Sequence, residues 1–187
     1  MKTFSARLAG GWLLAAALGM SQIAAAAKLD ATAQSKVDAK VKQIQGWVAD
    51  AAIIAAVKAY NSAKSPQAAA MGQTKWAALS VLDPFVRGLT KNPAAQVLKA
   101  KKGEVVVEAF LSGADGGKVA FLGKPTHWSH QGKPKHDQPM NGKAWQGDVE
   151  IDESSGLQQV QVAVPVLDGG EPIGSLVVGL SIGKLTK

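Results

Sequence analysis

The chain has no cysteine among its 187 residues. This removes disulfides, thiolate metal sites, attached c-type haem, a cysteine nucleophile and a lipid-modified cysteine from consideration. Aromatic residues are scarce, at 5% of the total. Beyond residue 27 there is one arginine, Arg87, and one tyrosine, Tyr60. Past that point no stretch is apolar and long enough to cross a bilayer. No glycine-rich loop has the spacing that cradles phosphate. Ser80, Ser112 and Ser175 lack the strand–turn–helix setting of a hydrolase nucleophile, and no carboxylate pair stands out as an acid/base couple. The chain therefore reads as non-enzymatic and without a cofactor.

What is present begins with Lys2 and Arg7, an apolar core from Leu8 to Met20, and a run of small residues from Ala24 to Ala27. Those are the three parts of a secretory signal, and residues 1–27 are assigned to one, with cleavage after Ala26 or Ala27. The protein is then expected in the periplasm or secreted. The alternative is an uncleaved anchor, because Leu8 to Ala27 nearly suffices to span a bilayer, although Gly10, Gly11, Gly19, Ser21 and Gln22 dilute it. The remaining chain of about 160 residues is long enough for one core without disulfides. Loss of Lys2 and Arg7 leaves 19 basic against 14 acidic residues, a net charge of +5. The lysines are scattered, with only Lys99, Lys101 and Lys102 close together. Nucleic acid is not expected as a partner; weak attraction to anionic surfaces is.

Ala31 to Tyr60 reads as one long helix, with Val37, Val41, Ile44, Val48, Ala51 and Ala55 stacked along one face at steps of four and three. Its reach of roughly 40 Å exceeds what the core needs, so the overhang offers a surface for a homodimer or, on the alternative reading of the chain as a structural or interaction protein, for a partner. Three shorter helices follow, each announced by a capping residue and a proline: Ser65-Pro66 to about Ser80, Asp83-Pro84 to Leu89, and Asn92-Pro93 to Gly103. After residue 103 the period changes from helical to two. Strands are expected over Glu104–Leu111 and Lys118–Leu122, then a polar loop from Gly123 to Lys143, then three strands: Trp145–Asp152, one around Val160–Val166, and Ile173–Ile182. The organisation is thus a signal (1–27), a helical segment (28–103) and an antiparallel sheet (104–187) that completes one domain. Pairing Asp152 with Leu157 sets Val149 opposite Val160, Glu150 opposite Gln159 and Asp148 opposite Gln161, so apolar meets apolar and polar meets polar. One face of the sheet should pack on helices and the other be more polar.

Helices, a strand hairpin, a long loop and three meandering strands follow the order of PAS-like extracellular sensor domains. The local sequence resembles the single Cache type, in Phe110 to Phe121 around Gly113, Asp115 and Gly117, in Trp145-Gln146-Gly147, and in Asp152 to Gly156. The resemblance continues in Val160 to Pro165 and in Asp168-Gly169-Gly170-Glu171-Pro172-Ile173-Gly174-Ser175-Leu176. It implies an α+β fold, with a long N-terminal helix and short helices packed on a five-stranded antiparallel PAS-like sheet. It also implies a sensory module that binds a small molecule between the sheet and the loop before the third strand. Relatives of this type sit between membrane helices and feed an output domain. Here no second span or output domain follows, so contact with a membrane or periplasmic partner protein is expected. Many relatives clamp a carboxylate with arginine and tyrosine, and Arg87 and Tyr60, both on helices, do not fit that arrangement.

The loop holds all three histidines, His127, His130 and His136, with Trp128 between the first two. A Trp beside two His offers a stacking surface and hydrogen-bonding groups for a small ligand. The expected ligand-binding residues are His127, Trp128, His130 and His136, joined by Gln159 and Gln161 from the sheet's polar row. Three imidazoles could instead ligate a metal, but the spacing of three then six fits no established site. The nearby Lys124, Lys133, Lys135 and Lys143 would also repel a cation, so no metal is assigned. An ordinary polar loop is the simpler account of the histidines, ahead of a ligand pocket and then a metal. Trp145 is read as core packing on the apolar face of its strand. Asp148, Glu150 and Asp152 are read as a solvated outer row, because alternate side chains on a strand stand roughly 6.5–7 Å apart.

Overall fold

The computed structural model describes residues 28–151, 158–185 and 187. The expected export signal at residues 1–27 and the turn expected within residues 152–157 lie outside the described residues. Within them the chain forms helices α1 (Ala31–Val48), α2 (Ala51–Ser62), α3 (Pro66–Ala69), α4 (Gln73–Ala78), α5 (Pro84–Lys91) and α6 (Pro93–Lys101). Strands β1 (Val106–Gly113) and β2 (Lys118–Phe121) follow, then α7 (Pro134–Met140), β3 (Trp145–Ile151), β4 (Gln158–Asp168), β5 (Glu171–Ser181) and a closing turn of helix, α8 (Ile182–Leu185). The strands make one antiparallel sheet in the order β2-β1-β5-β4-β3. The fold is α+β, with helices on a five-stranded antiparallel sheet.

The capping residues act as their types dictate. The side chains of Ser65, Asp83 and Asn92 accept from backbone N–H groups one turn on, and a proline occupies the first helical position in each case. The long N-terminal helix is divided. Asp50 leaves the helical region with ψ of 130° and accepts from the Ala52 amide at 3.0 Å, so it ends α1 and caps α2. The expected overhang does not form: Ala33, Val37, Ile44, Trp47 and Val48 of α1 are buried, and the helix packs against β4. The apolar stripe is used within the chain, which withdraws its support for a homodimer through this helix. The segment from Pro66 to Ser80 is likewise two short helices, parted at Gly72, whose extended backbone (ψ 170°) begins α4.

Both faces of the sheet are covered. On one, Ala109, Leu111, Val160, Val162, Val164, Leu176, Val178 and Leu180 meet α1, α2 and α6 in the larger core. On the other, Phe110, Phe121, Ala163 and Val177 join Met71, Trp76, Val86 and Trp128 in a second cluster. That second face turns polar toward one end, where Glu108, Gly179 and Gln161 lie in one cross-strand row.

The register of β3 on β4 is as expected at Val149–Val160 and Glu150–Gln159, but it shifts between Gln146 and Val149. A bulge there sets two residues of β3 against one of β4, so Asp148 does not face Gln161 in register and the side-chain alternation inverts. Trp145 consequently pairs with Ala163 and packs into the second cluster, on the face opposite Val149. A tight turn joins β4 to β5, with Gly169 (φ +60°) and Gly170 (φ +95°) both in the left-handed region that a two-residue turn of type I′ requires.

Two glycines test this packing with opposite signs. A Cβ on Gly174 would stand 2.4 Å from the Ser112 carbonyl oxygen in β1 and 2.9 Å from Val57 Cγ1 in α2. Gly174→Ala should therefore destabilise by about 2–3 kcal/mol through forced strand displacement. Gly46, exposed within α1, has nothing within 4 Å of such a Cβ. Gly46→Ala should stabilise by about 0.5–1 kcal/mol. Urea unfolding of the two variants checks both.

Candidate functional site

The loop after β2 is held over the second face of the sheet by α4. Gln73 donates to the Thr126 carbonyl (3.0 Å) and accepts from the Trp128 amide (3.0 Å), while the Trp76 indole donates to the Pro125 carbonyl (2.8 Å). Farther on, the His130 amide donates to the Gly116 carbonyl (3.2 Å) and the Ser129 hydroxyl to the Asp115 carbonyl (2.8 Å). The loop then enters α7, with Pro134 in its first turn. This helix was not expected from the sequence, because its seven residues carry no apolar period and two of them are prolines.

Between loop and sheet lies an open cavity of about 750 Å³. Of the six residues expected to bind a ligand, His127, His130, Gln159 and Gln161 line it. The other two do not. Trp128 is buried, with ring centroids 5.2 Å from Trp76 and 5.8 Å from Phe85; it anchors the loop. His136 is turned by α7 onto the sheet, where Nδ1 lies 2.7 Å from Ser175 Oγ and Nε2 3.2 Å from the Ala114 carbonyl. The carbonyl can only accept, so the proton sits on Nε2 and Nδ1 accepts from the serine hydroxyl. Ser175 has no exposed surface and His136 only 1%, so this serine–histidine pair ties helix to sheet and meets no substrate.

The three imidazoles do not converge on a metal. Both nitrogens of His136 are engaged, and His130 Nδ1 lies 2.8 Å from the Lys118 amine. Among the described residues no group of three or more His, Asp or Glu side chains is placed to hold a metal ion.

The cavity carries charges of both signs, Lys124 and Lys135 against Glu108 and Glu150. Lys135 donates to Gln161 Oε1 (2.5 Å), and Gln161 Nε2 donates to Glu108 Oε2 (2.8 Å). The Gln161 amide is thereby fixed at both ends, between a cation on α7 and a carboxylate on β1. The link passes over β5 at Gly179, where a Cβ would come within 2.7 Å of Gln159 Oε1 and 3.1 Å of Glu108 Cβ. Phe110 supplies an apolar floor, with the His130 ring stacked on it at 4.8 Å.

Glu108, Phe110, Lys135 and Glu150 escaped the sequence reading. Glu108 was findable as the one charge inside an apolar strand. Lys135 was not, because its direction depends on the unforeseen α7. Beneath the cavity Lys118 is fully buried, its amine bonded to Gly116 O (3.0 Å), Ser112 Oγ (3.3 Å) and His130 Nδ1.

No family model matches the chain, and no curated protein matches it. Solved structures do. The ligand-binding domain of the Pseudomonas aeruginosa amino-acid chemoreceptor PctC, in complex with GABA, is 15% identical with a TM-score of 0.45, over 82% of this chain and 58% of that one. The sensor domain of the Vibrio cholerae histidine kinase DctB is 17% identical, with a TM-score of 0.39 over 82% and 57%. The sensory domain of the Campylobacter jejuni chemoreceptor Tlp3, with isoleucine bound, is 14% identical, with a TM-score of 0.42 over 84% and 66%. The chain thus spans less than two thirds of the length of each. Among the described residues no helix is long and apolar enough to cross a membrane.

Burial lowers the pKa of His130, helped by Lys118 and Lys135, and burial lowers that of His136. Burial and then Lys135 bring Lys118 down to about 7, against the pull of Asp115 and Glu108. In each case the folded state binds fewer protons than the unfolded one, so stability rises with pH between the folded and unfolded values. The histidines' contribution is complete above their ordinary value of 6.5 and is lost as pH falls below it. Lys118 adds a rise from about 7 toward 10.5. Urea unfolding at pH 5, 7 and 9 should show stability increasing at each step, with slopes of at most about 1.4 kcal/mol per pH unit for each group. His136→Asn should lessen the acid-side slope, leaving the part due to His130, and Lys118→Met should flatten the alkaline side.

Proposed function

We propose that the chain is an exported, non-enzymatic sensory module that captures a small polar molecule between its sheet and the loop before α7. On this reading, capture is passed on by contact with a membrane or periplasmic partner protein. The observation that carries the proposal is the 750 Å³ cavity, in which an aromatic floor is ringed by charges of both signs and by amides. Concave sites of this size with a few convergent polar groups are where proteins hold small ligands. The alternation of Lys124 and Lys135 with Glu108 and Glu150 favours a ligand bearing charge over an apolar one. His127, His130, Gln159 and Gln161 are its assigned contacts, together with Lys135 and Glu108, which hold Gln161.

A thermal-shift series of amino acids, small carboxylates, amines and sugars tests this. At a concentration one hundred times its Kd, a true ligand adds about 2.7 kcal/mol, a rise of roughly 5–10 °C for a domain of this size. Gln161→Ala leaves Lys135 and Glu108 without their shared partner, and it should weaken that ligand at least about tenfold. A series in which no compound raises the melting temperature would overturn the proposal.

A further inference from the structure

Lys118 lies outside the cavity lining, yet it holds a residue that lines it. We propose that Lys118 is a positioning residue for the binding site: its amine fixes the tautomer of His130, so that the ring offers the cavity an Nε2–H donor and selects ligands with an anionic acceptor. The inference rests on the reading of the cavity as a ligand site.

The geometry is specific. An ammonium group has three donors and no acceptor. The Lys118 amine has three neutral acceptors around it: the Gly116 carbonyl, the Ser112 hydroxyl and His130 Nδ1 at 2.8 Å. A nitrogen that accepts from an ammonium cannot carry the ring proton, so the proton of neutral His130 is on Nε2. The ring cannot turn away, because it is stacked on Phe110 (4.8 Å between centroids, 15° between planes) and its backbone amide is tied to Gly116. The same amine lies 4.9 Å above the Phe110 ring, so cation, aromatic and imidazole form one fixed unit under the cavity.

The unit also places a positive charge behind the donor without exposing it. An anion at His130 Nε2 is attracted by the Lys118 ammonium through the imidazole, and it supports the charged form in return. Other titratable groups face this unit: Lys135 and His136 from α7, Glu108 from β1, Asp115 from the β1–β2 turn, and His127 from the loop. Of these, Asp115 and Glu108 favour the Lys118 charge and Lys135 opposes it. Because Lys118 titrates near neutrality, anion binding at His130 takes up a proton there and weakens as pH rises.

Nitrogen-15 NMR of the full chain, labelled at histidine, reads the tautomer directly. Wild type at pH 6, where Lys118 carries its charge, should show His130 protonated on Nε2 and bare on Nδ1. Lys118→Met, once shown by circular dichroism and melting to be folded, should give a mixture of tautomers. A wild-type His130 protonated on Nδ1 overturns the proposal without any variant, as does a folded Lys118→Met with an unchanged tautomer. Acetate and methylammonium serve as probes of the selection. Acetate should shift the His130 Nε2 resonance and bind roughly fivefold more weakly at pH 8.5 than at pH 6, methylammonium should not shift it, and Lys118→Met should lose most of that pH dependence. A His130 shift by methylammonium, or acetate binding that is flat with pH in wild type, overturns the selection. Failure of the underlying site reading looks different: no compound moves any resonance of His127, His130 or Gln161, while the His130 tautomer remains as stated.

Discussion

A chain without cysteine has to hold a long polar loop over its sheet by hydrogen bonds and packing alone, and the candidate site exists only because it does. Three attachments supply the hold. Gln73 and Trp76 of α4 take the loop's first backbone groups, Trp128 fills the apolar gap beneath it, and the buried Lys118 amine joins the loop to the β1–β2 hairpin. The buried amine is the least replaceable of these, since its three donors meet two acceptors in the β1–β2 hairpin and one in the loop. A buried cation is tolerable only when so satisfied.

Much of the fold was legible because local chemistry and tertiary structure agree. Ser65, Asp83 and Asn92 before prolines each began a helix, and the alternation in β3 and β4 set their register at Val149 and Val160. The misreadings have local causes too. Asp50 is a good capping residue inside a continuous apolar stripe, and the stripe outweighed it in a reading by periodicity. The bulge before Val149 leaves no mark in the pattern, because Trp145 is apolar and is welcome on either face. Helix α7 has no apolar period and holds a second proline, Pro139, so only Pro134 hinted at its start.

The lining of the cavity was legible in part for the same reason. His127, His130, Gln159 and Gln161 could be placed because loop and strand positions fix which side they face. Trp128 and His136 were misplaced because a residue type suited to binding is also suited to anchoring, and which role it takes is decided by neighbours distant in sequence: Trp76 and Phe85 for one, Ser175 for the other. Lys118 was hidden by its type, since a lysine in a short strand after a glycine turn reads as solvent-facing until Ser112, Gly116 and His130 are seen to enclose it.

The hairpin between β1 and β2 has a bearing on mechanics. A tight turn alone would account for glycines here, yet only Gly116 among Gly113, Gly116 and Gly117 has positive φ. Gly113 and Gly117 are bare because Tyr60, from the last part of α2, lies against them: a Cβ on either would stand 2.3 or 2.0 Å from its side chain. Asp115, between them, takes the Lys64 amine at 2.6 Å from just beyond the same helix. The hairpin is thus a common mount, with the pocket loop bolted to one side through Gly116 and α2 resting on the other. Any displacement of His130 would therefore act first on the Gly116 turn, which α2 braces from the opposite face of the sheet.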